Sequence, residues 1–365
     1  MNLNELRQIL HDFQDTPANR NQLCEELVAT NASDMVWGYA DQHISGLQEW
    51  WNRQLKIQEK IALHNDEDSD NYFDMKDLAG AYLNDLDFYG VEFPTDADLS
   101  GADLTGANLT YAELYYANLT DSDLTDVQMS HADLKGANLF GANLSGAICF
   151  EVNFDDADLT NASLIDSDIE GASLKDADLT NADLTGADLN YAFLHHTLLK
   201  DAILANSNLT SADLEGADLT GADLTHAEMT GASLVEASLV SAKLSDVNLR
   251  NAYLNNANLS NAVLSYAYLN SAQLRSANFE NASLFDARLN EADFWACNLS
   301  GADLRTTHMA YTTFAQANLI RADLRGADLS LADLGSANLR DAVYDKKTIF
   351  PEGFDPKEQR MRFES

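Results

Sequence analysis

An apolar residue returns at every fifth position from Leu99 to Tyr344, which makes 50 consecutive units. This position is Leu in 40 of the 50 units and is never charged. Two residues earlier the chain has Ala in 40 of the 50 units, and otherwise Ser, Thr, Val or Cys. A column rich in Asp and Asn lies between these two, so the unit reads Ala-Asp/Asn-Leu-x-x.

A period of five matches neither the helical repeat of about 3.6 residues nor the alternation of a strand. It predicts an all-β solenoid whose chain turns a corner after each unit, with the Leu and Ala columns pointing inward. The second column is small because so narrow an interior has no room for another large side chain. Successive coils then stack through strand-type hydrogen bonds at about 4.8 Å. The predicted core positions include Leu99, Leu104, Leu119, Cys149 and Leu219.

The units at 97–101 and 102–106 read Ala-Asp-Leu-Ser-Gly and Ala-Asp-Leu-Thr-Gly, and with those that follow they closely resemble the pentapeptide repeat family. The resemblance covers residues 72–344 and implies a right-handed quadrilateral β-helix with four units per coil, hence about 12–13 coils. A left-handed hexapeptide β-helix is the alternative fold, and the strict five-residue phase rejects it. The ending from Val343 to Pro356 resembles that of many cyanobacterial members.

The segment before the repeats has a different pattern. Apolar residues spaced by three and four predict about four short helices over residues 3–63, with stripes at Leu3, Leu6, Leu10, Phe13 and at Leu47, Trp51, Leu55. We therefore divide the chain into a helical N-terminal domain (1–64), an acidic linker (65–71), the repeat solenoid (72–344) and a C-terminal cap (345–365). The helical domain is expected to cover the first coil, whose strand edge is otherwise open. A one-residue phase slip at Pro94 predicts that this coil is irregular.

Charge limits the function classes. The 59 Asp and Glu residues against 22 Lys and Arg residues produce a net charge of -37, which excludes binding of nucleic acid through phosphate neutralisation. A protein partner with a basic patch fits this field better. No stretch approaches the roughly 18 apolar residues of a membrane span, and the N-terminus lacks a secretory signal, so we expect a cytoplasmic protein that does not bind membranes. Three scattered cysteines do not form a disulfide framework.

Candidate chemistry is sparse. The chain has no phosphate loop, nucleophile elbow or Cys-x-x-Cys pair, so we expect neither catalysis nor a cofactor. The adjacent pair His195 and His196 is not expected to share a metal, because consecutive side chains in a solenoid diverge. Asp66, Asp68, Asp70, Asp74 and Asp77 partly match a calcium-loop frame. The frame lacks its Gly and its final Glu, which favours an acidic linker and leaves calcium binding open.

Acidity concentrates on the first part of the solenoid. Residues 77–242 carry 30 acids and 3 bases. The excess negative charge of this segment is spread over about 40 Å of rod axis, which makes about one net charge per 1.5 Å. Duplex DNA has a similar density, about one charge per 1.7 Å of its axis. The family contains acidic rods that mimic DNA, bind type II topoisomerases such as DNA gyrase and confer quinolone resistance. Such a surface would include Asp103, Asp123, Asp183 and Asp223, yet the acids spread almost evenly over four faces, which also fits a purely solubilising role.

A second surface signal is apolar. Phe193, Leu198 and Ile203 occupy three successive middle positions that are normally Asp or Asn, with Tyr191 nearby. Exposed apolar groups of this kind mark a partner site, although scattered surface residues or contact with the helical domain explain them equally well. We conclude that the chain is a non-enzymatic scaffold for protein interaction or regulation, with DNA mimicry as the alternative. Pairing of rod ends into a homodimer stays open.

Overall fold

The computed structural model describes residues 1–11, 13–64 and 76–364. Within these residues four helices come first: α1 (Leu3–His11), α2 (Pro17–Ala29), α3 (Asp34–His43) and α4 (Leu47–His64). The α2 helix begins where Thr16 accepts a hydrogen bond from the Asn19 backbone N–H at 3.2 Å. The predicted acidic linker and most of the calcium frame lie outside the described residues. Within them, no helix is long and apolar enough to cross a membrane.

The repeats form a rod of four-sided coils. Middle-column residues pair in parallel with those 20 positions later, beginning at Asp98, Asp103, Asn108 and Glu113. These four ladders define faces 1, 2, 3 and 4 in that order. Leu99 N–H donates to the Asn118 carbonyl at 2.7 Å, and the same bond recurs along the rod. Twelve turns of 20 residues separate Asp98 from Asn338, so this part of the rod is about 60 Å long.

Each corner is a tight turn. The Ala102 N–H donates to the Leu99 carbonyl at 3.0 Å, and the second of the two central residues, Gly101, has φ of 60°. A type II turn needs an ordinary negative φ at its first central residue and a positive φ at its second. Gly and Asn adopt the positive φ at the least cost. This requirement explains why Gly recurs at the last position of the unit.

The Leu and Ala columns fill the interior. Leu99, Leu104, Leu119 and Leu219 are buried, as is Cys149, and nearly all buried apolar residues from Leu78 to Met361 form one continuous core. Burial raises the pKa of the Cys149 thiol strongly. Each coil therefore packs on its two neighbours, which is the source of stability in a solenoid.

The first coil is longer and is covered by α4. Asp77 pairs with Asp98, 21 residues later, as the phase slip at Pro94 predicts. The Trp50 indole N–H donates to the Gly80 carbonyl at 2.7 Å, and Gln54 exchanges two hydrogen bonds with the Tyr82 backbone. The helix thus pairs edge groups that would otherwise be left open.

The other end is covered by the chain itself. Strand β1 (Val343–Tyr344) pairs in parallel with β2 (Arg362–Phe363). Tyr344 packs its ring edge against Phe350, which stacks on Phe354. These aromatic contacts seat the last segment on the final coil.

Candidate protein-interaction surface

A cleft of about 570 Å³ lies between the N-terminal helices and the first coil. Four of its charged groups pair with one another: Arg20 contacts Asp15 at 2.6 Å, and Arg53 contacts Asp77 at 3.3 Å. The hydrogen bond from Arg20 lowers the pKa of Asp15. Asp77, the last position of the calcium frame, is therefore engaged in the contact between α4 and the first coil.

The predicted apolar residues are exposed but do not share a face. Phe193, Leu198 and Ile203 lie on faces 4, 1 and 2 of the rod, and with Tyr191 they are between 37% and 57% exposed. An Asp lies on the next coil directly above each of the first three. These residues form a band around the rod, so a flat partner surface cannot cover all of them together.

The predicted acids Asp103, Asp123, Asp183 and Asp223 all lie on face 2. In each, one carboxylate oxygen accepts a hydrogen bond from the backbone N–H two residues later, at 3.0–3.1 Å. Asn108 forms the same bond with Thr110 at 3.1 Å. The middle column favours Asp and Asn because both can cap the turn that follows. The second carboxylate oxygen remains for a partner in Asp103, Asp123 and Asp183, whereas that of Asp223 already pairs with Lys243 at 3.1 Å.

Aromatic rings follow one another along the corner between faces 3 and 4. Tyr89 meets Tyr111 edge-on with 5.6 Å between ring centroids, Tyr111 stacks on His131 at 4.7 Å, and His131 meets Phe150 at 5.5 Å. We call these four residues the corner strip. Both tyrosines are exposed, as is Ile148 on the adjoining part of face 3. The strip runs along the rod over four successive coils, so one extended partner segment can contact all of it.

Carboxylates border the corner strip. Glu92, Glu113 and Asp133 lie one above another on face 4, directly beside it. At the end of the strip, the Glu151 carboxylate contacts the His131 ring nitrogen at 3.3 Å. The strip therefore combines aromatic faces with negative charge, a combination that attracts cationic side chains.

Sequence reasoning did not connect Tyr89, Tyr111, His131 and Phe150. The signal is present in the sequence, because Tyr111 and His131 are 20 residues apart and must share a corner of a 20-residue coil. Tyr89 and Phe150 depart from that spacing by two residues and one. Writing the chain in rows of one coil would have brought the four together.

Comparison with known families settles the class of the rod. The model of the pentapeptide repeats matches eight stretches between residues 95 and 343. The chain belongs to the pentapeptide repeat family. Solved structures of this family are right-handed quadrilateral β-helices, and the coils described above have the same four-unit construction.

Several solved structures are similar to the chain. HetL, a pentapeptide repeat protein involved in heterocyst differentiation regulation in the cyanobacterium Nostoc sp. strain PCC 7120, is 29% identical; the match covers 75% of this chain and 93% of HetL, with a TM-score of 0.22. A second Nostoc protein, alr5209, is 31% identical over 35% of this chain and 84% of its own, with a TM-score of 0.19. QnrB1, a plasmid-mediated fluoroquinolone resistance protein, is 18% identical over 59% and 88%, with a TM-score of 0.29. No curated protein matches the chain.

Proposed function

We propose that this protein is a non-enzymatic, cytoplasmic scaffold that binds a basic protein segment along the corner strip. The observation that carries the proposal is the run of four rings on one rod edge, each in contact with the next and bordered by carboxylates on face 4. The helical domain (1–64), linker (65–71), right-handed rod (72–344) and cap (345–365) would then form a rigid display platform. Dimerisation through a rod end stays a prediction.

The chemistry of the strip selects its partner. Lys and Arg side chains lie favourably over aromatic faces, each contact contributing about 0.5–1 kcal/mol at an exposed site. Carboxylates one coil apart, about 4.8 Å, add ion pairs along the same line. An extended segment with several basic residues can use both at once, whereas an acidic or nucleic-acid partner is repelled.

The test is capture of partners from an extract of the source cell by the full chain and by three variants. Tyr111→Ala and His131→Ala remove the centre of the strip. Tyr311→Ala is the matched control, because Tyr311 lies on the same corner and is 68% exposed but lies several coils away. We expect a basic protein to be lost with the first two variants and kept with the control. An identical set of captured proteins in all samples would argue against the strip.

The second candidate function is DNA mimicry directed at a nucleic-acid-binding protein such as DNA gyrase. The observation in its favour is the acidic segment 77–242, with 30 acids against 3 bases on about eight coils. Asp→Asn at positions 103, 123, 183 and 223 removes charge from face 2 while an amide oxygen still caps each turn. Mimicry predicts salt-sensitive inhibition of supercoiling that this fourfold variant weakens. Absence of inhibition by the unaltered protein would eliminate it.

A further inference from the structure

His195 lies in a cluster of possible metal ligands whose other members come from the next coil rather than from its sequence neighbours. It occupies the corner between faces 4 and 1, and its Nε2 is 2.9 Å from Oδ2 of Asp213, which lies on face 4 of the next coil. Glu215 follows at the corner directly above His195. One ligand atom from each of the three side chains lies within 4.8 Å of the other two. The cluster therefore joins two coils through one imidazole and two carboxylates.

The coil framework holds these groups in place. Leu194 N–H donates to the Asp213 carbonyl at 2.7 Å, and His196 N–H donates to the Glu215 carbonyl at 3.0 Å, so the two coils are tied on either side of His195. The Glu215 N–H donates to Oδ1 of Asp213 at 3.2 Å, which leaves Oδ2 facing the imidazole. The three side chains project from backbone that is already ordered, so little further ordering is needed to bring them onto one ion.

The cations nearest along the rod are engaged elsewhere. Lys175, on the coil below His195, contacts Asp176 at 3.9 Å, and Lys200 contacts Asp218 at 3.2 Å. Asp213 and Glu215 place two carboxylates at this corner. A divalent cation would neutralise them.

We propose that His195, Asp213 and Glu215 bind a divalent transition-metal ion of the zinc class. A mixed nitrogen and oxygen donor set suits such ions, whereas Ca²⁺ and Mg²⁺ prefer oxygen ligands alone. Ligands at about 2.0–2.1 Å from a tetrahedral ion are roughly 3.3 Å apart. The imidazole and Asp213 need to separate by a few tenths of an ångström, and the exposed Glu215 carboxylate, within 4.8 Å of both, adjusts to the same spacing. Water completes the coordination, and the ion cross-links consecutive coils between Phe193 and Leu198.

Two other histidines, His131 and His196, provide control positions for the metal-binding experiment. His131 and Glu151 form a similar pair at 3.3 Å, one histidine with one carboxylate, and they are not part of a three-ligand cluster among the described residues. His196 is adjacent to His195 in sequence, but its ring lies against Gly216 rather than in the cluster. His131→Ala and His196→Ala each remove an imidazole without altering the proposed donor set.

The experiment titrates Zn²⁺ into the chelator-treated full chain against a chromophoric chelator, and repeats the titration for each variant. We expect one site, weakened at least tenfold by His195→Ala and by Asp213→Asn, and unchanged in His131→Ala and His196→Ala. Asp213→Asn keeps an oxygen for the Glu215 N–H, so the turn is preserved. A Zn²⁺-dependent rise in melting temperature in the unaltered protein and both controls, absent from His195→Ala, is the second expected result.

The proposal is overturned if the unaltered protein shows no single site, or if His195→Ala binds Zn²⁺ as well as the control variants do. Binding of Ca²⁺ as strong as that of Zn²⁺, and independent of His195, would also overturn it, since that result indicates general attraction to the acidic rod.

Discussion

Truncation of one buried leucine tests the claim that coil-to-coil packing stabilises the rod. Leu219 is 0% exposed, and its backbone N–H donates to the Ser238 carbonyl at 2.7 Å on the next coil. Leu219→Ala removes three carbon atoms from a filled interior that the rigid backbone ladder cannot close. Buried Leu→Ala changes cost about 2.7–5.0 kcal/mol when a cavity remains, so we expect about 3–4 kcal/mol here. The matched control is Leu331→Ala, since Leu331 is 53% exposed, and a change of less than about 0.5 kcal/mol is expected.

The assay is urea unfolding followed by circular dichroism, combined with amide hydrogen exchange. Because each coil contacts only its neighbours, the loss of protection should be largest in the coils next to residue 219 and fade along the rod. The inward assignment of the Leu column would be refuted if both variants lost the same stability. A uniform loss of protection over the whole rod would instead refute the nearest-neighbour account.

Three further predictions follow from individual contacts. Burial raises the pKa of Cys24 and of Cys297 to about 12 and also raises that of Cys149, so a thiol reagent at pH 8 should label none of the three until the protein is denatured. The pKa of Asp15 is lowered in the folded state by Arg20, so its contribution is present above the unfolded value near 4 and is lost as pH falls through the folded value. Asp15→Asn should therefore cost less than about 1 kcal/mol at pH 7, and progressively less as the pH falls below about 4, in thermal melts. Asn298 donates to Asn278 at 2.9 Å and accepts from Asn318 at 3.0 Å, so Asn298→Ala should cost about 1–2 kcal/mol in urea unfolding, and a neutral result would contradict a stabilising role for this ladder.

The candidate surfaces were predictable only in part. The exposure of Phe193 and its neighbours follows from apolar residues in an outward column, because the column alone decides which way a side chain points. Their separation onto three faces follows from four units per coil. The cluster of His195, Asp213 and Glu215 was not anticipated, because His195 was compared with its sequence neighbour His196, whereas Asp213 and Glu215 come from the next coil.

The sequence by itself determined the repeat, its inward columns, the irregular first coil and the acidic charge, since each depends on a strict five-residue phase or on composition. Tertiary structure decided what meets across coils: the corner strip, the cover that α4 provides at Gly80 and Tyr82, and the approach of Asp213 to His195. These contacts join residues 18 to 30 positions apart. Their geometry depends on how the coil closes and how side chains choose rotamers at its corners, which local pattern does not specify.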